Sequence, residues 1–253
     1  TIHLAGGTPV YEDVNPETFL IDIKDIKKKI TKKTKAILAV HMYGGICNLK
    51  ELKKICKEYK LFLIEDCAES MLARDENNFI TGTIDERQNP NYKRFDKIGF
   101  NYRMNEFSAA IALAQCERVN FFINKRRKAA LALTKIIKNN KYLIPQKIPK
   151  KAFSTYYTLA VKLNIKDKKN LSWFKFRKKF MQYGGDGIYA ASRLIHQEPA
   201  IKNNRIGKKS HLTPEAKKLQ KILLLFTTNQ NDQKEINLQT QALRRTINYF
   251  KLY

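Results

Sequence analysis

The chain has 253 residues, 43% hydrophobic and 28% charged. That composition is globular, excludes wholesale disorder, and suits one large domain or two smaller ones. Lys and Arg total 49 against 23 Asp and Glu, a net charge of +26. Only 12 of those cations are Arg, and the 37 Lys are spread along almost the whole chain. A dedicated nucleic-acid binder concentrates its charge and uses Arg for bidentate contacts. The spread reads as compositional background, with no specific nucleic-acid partner, although an anionic small molecule would be drawn to such a field.

The four cysteines, Cys47, Cys56, Cys67 and Cys116, have no CxxC spacing, and the histidines stand far apart at 3, 41, 196 and 211. No zinc pattern is present, so no metal is expected, and reduced thiols of a cytoplasmic protein are. No apolar run approaches the roughly 20 residues of a membrane span. The chain starts at Thr1 rather than Met, which reads as a truncated N-terminus.

In chain order, Gly6-Gly7 leads into Thr8 to Val14, which reads as a strand. Ile23, Ile26 and Ile30 give a helix with a lysine face. Ala36 to Val40 is a continuous apolar run, a buried strand broken by Gly44-Gly45. Leu49, Leu52, Ile55 and Cys56 make one face of the next helix, and Leu61 to Ile64 is a second buried strand ending in Glu65-Asp66. Strand, helix, strand with continuous apolar strands predicts a parallel α/β layer. Ligands of such sheets sit at the carboxyl ends of the strands. Two polar clusters fall there, His41-Met42-Tyr43-Gly44 and Glu65 to Ser70.

Residues 71 to 98 show little periodicity and read as a long loop, which marks a functional segment or a missing element. From Asn105 a helical stripe of Phe107, Ala110, Ile111, Ala114, Val119, Phe122 and Ile123 runs through two helices or one kinked helix. The basic run Lys125 to Lys128 reads as a solvated helix face. After Pro149, Tyr156 to Leu163 alternates as a strand, Leu171 to Tyr183 is helical and Gly184 to Gly187 is a turn. Pro214 starts a helix leading to the apolar Leu223 to Phe226, and Ile236 to Phe250 is an amphipathic helix. The organisation predicted is a large domain over 1–125 and a smaller α+β domain over 126–253.

An Asp directly after an apolar strand suits a charged ligand. Asp66 could cap a helix, or it could hold a cationic ring nitrogen and so keep a cofactor ring electron-withdrawing. The wider pattern favours the second. Gly6 to Phe19, Val40-His41-Met42-Tyr43-Gly44, Ile64 to Ser70, Gly99-Phe100-Asn101-Tyr102-Arg103-Met104, Ala109-Ala110 with Gln115, Gly187-Ile188 and Leu194 to Pro199 follow one another in order. Together they resemble the DegT/DnrJ/EryC1/StrS family of pyridoxal-phosphate (PLP) nucleotide-sugar aminotransferases, and its perosamine-synthase-like branch in particular.

The resemblance implies an α/β fold of the PLP-dependent transferase type (aspartate aminotransferase-like, fold type I), its large domain incomplete, with a smaller α+β C-terminal domain. It implies PLP as cofactor, a keto sugar on a nucleotide as substrate, an amino-acid donor, a surface-polysaccharide pathway, and a homodimer or a mixed dimer with a full-length paralogue. Asp66 matches the acid that pairs with the pyridine nitrogen. Glu69 stands near the ring hydroxyl, where many members have Gln, and Asn101 matches a residue reaching the neighbouring subunit's cofactor phosphate. His196 matches a histidine at the substrate end, and Arg103 and His41 lie inside motifs at that end.

One departure bears on activity. The family sets its Schiff-base lysine after a Ser-Phe pair between the Glu-Asp motif and the Asn-Tyr-Arg-Met motif. Here no Lys occurs between Ser70 and Tyr92, so no catalytic residue is assigned and the chain is expected to be inactive alone. The alternatives are a non-catalytic remnant that binds sugar nucleotide or a full-length paralogue, and a basic nucleic-acid-binding protein. A large domain missing that segment should have a shortened sheet with an open edge.

Overall fold

The computed structural model describes residue 2 and residues 6–74, 105–165, 168, 171–203 and 213–253. The expected loop over 71–98 lies almost wholly outside the described residues.

The N-terminal part is a small parallel layer. Helix α1 (Ile23–Lys29) is capped by the Asp22 side chain, which accepts from the Lys24 amide. Strand β1 (Ala36–Val40) pairs in parallel with β2 (Phe62–Asp66), Ala36 opposite Phe62 and Val40 opposite Asp66. Between them, α2 (Leu49–Tyr59) starts at the Asn48 cap, which accepts from the Glu51 amide, and ends on Lys60 in the left-handed conformation. Ile26, Ile37, Ala39, Leu49, Leu52 and Ile55 form one core under the sheet.

Among the described residues only that one face is covered. Both strands were expected to be buried on both sides, yet Leu38, Phe62 and Ile64 are 42%, 76% and 52% exposed. Apolar character reports that a face seeks burial, not that a neighbour exists to bury it. Among the described residues β1 is the one strand beside β2.

Residues 8–14 also differ from expectation. They are extended but not a strand, and Val14 makes a lone bridge to Ile21. Pro9 has no amide to donate, and the Asn15 side chain accepts from the amides of Glu17 and Thr18, reversing the chain before a ladder can form.

Helices α3 (Glu106–Glu117) and α4 (Val119–Ile137) meet at Arg118. The expected stripe is buried only from Ile123 onward; α3 has no buried residue, with Phe107 86% exposed. The boundary read at 125/126 falls within α4.

The C-terminal part is a four-stranded antiparallel sheet in the order β3-β4-β6-β5, with β3 at Leu143–Pro145, β4 at Leu159–Leu163, β5 at Tyr189–Ala190 and β6 at Leu223–Phe226. The strand read from Tyr156 starts three residues later, because Tyr156 has a φ of 49°. Four further helices belong to this part: α5 (Trp173–Gln182), the short α6 (Pro199–Asn203), α7 (Pro214–Gln220) and α8 (Gln233–Phe250). Alternation in β4 and β6 feeds two cores. Leu159, Val161, Leu163, Leu224 and Phe226 pack with Leu133, Phe176, Phe180 and Leu243 from α4, α5 and α8. Ala160, Leu223 and Leu225 point the other way and pack on Phe19 and Tyr43, joining this sheet to the N-terminal part.

The basic run of α4 is a tie rather than a solvated face. Arg126 donates to the Tyr157 carbonyl at 3.0 Å and to Thr228 Oγ1 at 3.3 Å. Arg127 donates to the Ser154 carbonyl and stacks 4.0 Å from the Phe153 ring. The aliphatic stems of such cations cover apolar surface while their heads find carbonyls, which a charge count does not reveal.

Candidate functional site

The carboxyl ends of β1 and β2 lie side by side, and the His41 amide donates to the Asp66 carbonyl at 3.0 Å. His41 is completely buried. Its Nδ1 accepts from the Cys47 amide at 3.0 Å, so the ring proton sits on Nε2 and points at Glu65 Oε2, 3.0 Å away. A ring nitrogen of His41, a Glu65 oxygen and the Cys67 sulfur all lie within 4.8 Å of one another. A metal on Nε2 would move the ring proton to Nδ1, against the Cys47 amide hydrogen. Metal-bound histidines instead donate from their second nitrogen, so this cluster is a hydrogen-bonded one. His41 is therefore locked beneath the strand ends and structural. Cys47 donates to the Val40 carbonyl at 3.4 Å, and burial pushes its thiol up to about 12, leaving no nucleophile.

Above this buried layer stand two carboxylates. Asp66 is exposed at the end of β2, its Oδ1 accepting from the Ala68 amide at 3.1 Å. Glu69 Oε2 accepts from the Tyr43 amide at 2.9 Å. That amide is aimed by a 3₁₀ turn over Met42–Gly44, in which Tyr43 has φ 61° and Gly44 φ 79°. A Cβ on Gly44 would lie 2.4 Å from the Tyr156 nitrogen, so the turn is pressed against the chain entering β4. Burial, then the Glu69 charge, pushes the Tyr43 phenol up to about 12, so it stays protonated. Each of Asp66 and Glu69 has one oxygen held by a backbone amide and one without a partner among the described residues. An acceptor at a parallel strand's carboxyl end, open on one side, fits a cationic ring nitrogen; a second beside it fits a ring hydroxyl.

His196 keeps different company. It lies in a 3₁₀ turn over Ile195–Gln197, its ring 5.7 Å from that of Tyr11. Burial, then the charges of Lys217 and Lys29, hold its pKa below the ordinary value. No hydrogen bond joins it to His41, Asp66 or Glu69 among the described residues. Beside it, Lys29 Nζ meets Asp25 at 2.5 Å, the Tyr11 carbonyl at 2.7 Å and Glu12 at 3.6 Å. Burial pushes the Glu12 carboxyl up to about 7 against the pull of Lys29. Asn101 and Arg103 lie outside the described residues.

The sequence reading missed the Tyr43 and Cys47 amides that orient Glu69 and His41. It also missed Asp13, which accepts from the amides of Glu215 and Ala216. The one available signal was Gly44, whose position after Tyr43 marks a turn with positive φ.

Comparison with known proteins bears on the family and the fold. The model of the DegT/DnrJ/EryC1/StrS aminotransferase family matches residues 1–86 and 81–237, in two pieces that meet between β2 and α3. The GDP-perosamine synthase of Escherichia coli O157:H7 is 30% identical over 197 residues, covering 63% of this chain and 54% of that protein. The chain thus spans about half the length of the curated relatives it matches. An aminotransferase from Psychrobacter cryohalolentis superposes with a TM-score of 0.83 at 21% identity, covering 99% of this chain and 78% of that one. The E. coli GDP-4-keto-6-deoxy-D-mannose-3-dehydratase with bound hydrated PLP gives 0.73 at 21% identity, covering 96% and 75%. The architecture is that of fold type I, and no described helix is long and apolar enough to cross a membrane. With most of its length matched by one family model, the chain belongs to the DegT/DnrJ/EryC1/StrS aminotransferase family.

Proposed function

We propose that this chain is a cytoplasmic derivative of a PLP-dependent nucleotide-sugar aminotransferase of surface-polysaccharide synthesis. It retains the acidic half of the cofactor site and does not complete the reaction alone. The observation that carries this is the pair of half-held carboxylates, Asp66 and Glu69, in a chain with no Lys between Ser70 and Tyr92.

When bound, the cofactor supplies an electron sink for moving an amino group from an amino acid to a keto sugar. The free oxygen of Asp66 would accept from the protonated ring nitrogen and keep it cationic. Glu69, fixed by the Tyr43 amide, would hold the proton shared with the ring hydroxyl. What the chain lacks is an amine in the stretch after Ser70 to anchor the cofactor and carry a proton between carbons. We place that amine on a full-length paralogue, so the working unit is a mixed dimer; a homodimer, the other expected pairing, would bring no lysine in that stretch.

The test is PLP addition, borohydride reduction and peptide mapping by mass. The proposal expects reversible PLP binding that weakens at least tenfold in Asp66→Ala, with no single lysine labelled in the purified chain. One stoichiometric adduct at one lysine would overturn the claim of inactivity. Equal PLP binding by Asp66→Ala would overturn the assigned site.

A further inference from the structure

The turn that feeds the candidate site holds two consecutive residues in the left-handed region, Tyr43 at φ 61° and Gly44 at φ 79°. For a tyrosine that conformation is strained, and it persists only where its surroundings hold it. The hold comes from the chain entering β4. The Thr155 amide donates to the Gly44 carbonyl at 3.0 Å, and the Tyr156 backbone leaves no room for a Cβ on Gly44. That chain is fixed in turn by α4 and by the residues after β6. Ser154, 2% exposed, gives its carbonyl to the Arg127 guanidinium, which stacks on the Phe153 ring. Arg126 takes the Tyr157 carbonyl, and the Thr228 hydroxyl donates to that of Tyr156 at 2.7 Å.

We propose that Arg127 is a positioning residue for Glu69, acting through residues 154–157 and the Tyr43–Gly44 turn. This rests on the cofactor reading of Glu69 in the proposed function and adds to it a residue that touches neither carboxylate. The Ser154 carbonyl has no other donor among the described residues. Removing the guanidinium leaves that carbonyl buried and unpaired, so the segment shifts toward water and the strained turn loses its backing. Tyr43 then relaxes out of the left-handed region, and its amide leaves the Glu69 oxygen that it now meets at 2.9 Å. Asp66 is untouched, because it accepts from the Ala68 amide in its own turn. Lysine does not replace Arg127, since an ammonium lacks the flat face that lies on Phe153.

The test is site-resolved amide hydrogen exchange on the whole chain, followed by titration with PLP. In Arg127→Gln the Tyr43 amide should exchange at least tenfold faster than in the parent, and Arg127→Lys should recover little of the loss. The amides of Ala68 and of Leu163, which bonds to the Ile222 carbonyl in the C-terminal part, should not change. Phe153→Leu removes only the ring under the guanidinium and should give a smaller acceleration at Tyr43; it decides the matter if Arg127→Gln fails to fold. PLP binding should weaken by the same factor in Arg127→Gln and in Glu69→Gln, with no further loss in the double variant. The losses of Arg127→Gln and Asp66→Ala should multiply. Unchanged exchange at Tyr43 would overturn the proposal. Equal acceleration at Tyr43 and Leu163 would overturn it too, since Arg127 would then only stabilise the fold. So would losses of PLP binding that multiply between Arg127→Gln and Glu69→Gln. A parent chain that binds no PLP would refute the cofactor reading instead, and Tyr43 exchange would still decide whether Arg127 positions Glu69.

Discussion

Asp13→Ala tests how the two ends of the chain are held together. Helix α7 begins with Pro214 at its first position, and its Thr213 cap makes no side-chain bond. The amides of Glu215 and Ala216 are among those that a helix leaves unpaired. Asp13, 202 residues from Glu215, supplies both acceptors, at 3.0 Å to Glu215 and 2.9 Å to Ala216, and is 7% exposed. A lost cap costs about 0.5–2 kcal/mol, and hydrogen bonds to a charged group contribute about 1.5–3 kcal/mol. The two bonds share one carboxylate, so about 2–3 kcal/mol is expected for Asp13→Ala. For a chain of this size that is a fall in Tm of about 4–12 °C. Asp13→Asn keeps one acceptor oxygen and should lose about half as much. Thermal and urea unfolding by circular dichroism would read both. Asp13→Ala within about 0.5 kcal/mol of the parent would refute this reasoning, and so would equal losses for the two variants.

Two further outcomes follow from the same region and from the turn at Tyr43. The Glu12 carboxyl titrates near 7 in the folded chain, above its ordinary 4.5, so the folded state binds the extra proton and stability falls as pH rises through that window. Glu12→Gln should remove about 1–2 kcal/mol of that fall between pH 5 and 8, allowing for solvent screening; urea midpoints at both pH values check it, and parallel profiles would sink it. Gly44→Ala should cost about 3 kcal/mol or more, combining left-handed strain with a Cβ 2.4 Å from the Tyr156 nitrogen; a urea midpoint close to the parent's would show that the turn yields.

Local pattern reached those elements whose neighbours are close in sequence. The period of α2 and the apolar run of β1 are visible because each presents its own signal, and their parallel pairing follows from the connection. Residues 8–14 read as a strand, but Pro9 cannot donate to a ladder and Asn15 reverses the chain, and these two decide the outcome. The exposure of Phe62, Ile64 and Phe107 could not be read at all, since burial depends on what else is present. At the candidate site, Asp66 and Glu69 stand in a motif that the sequence itself displays. The amides of Tyr43 and Cys47 that orient Glu69 and His41 have no such signal, because every residue has an amide and only the turn aims it.

Those contacts explain why a site at the end of one sheet depends on the other. Arg126 and Arg127 hold the carbonyls of Tyr157 and Ser154. The chain between them presses on Gly44, whose carbonyl accepts from the Thr155 amide at 3.0 Å. Gly44 closes the turn that points the Tyr43 amide at Glu69. Asp66 needs none of this, since the amide it accepts from is two residues along its own turn. The two carboxylates thus have different supports. Loosening the junction between the two sheets should release Glu69 while leaving Asp66 in place, so the proposed ring-nitrogen contact would be local and the proposed ring-hydroxyl contact would be set by the C-terminal part.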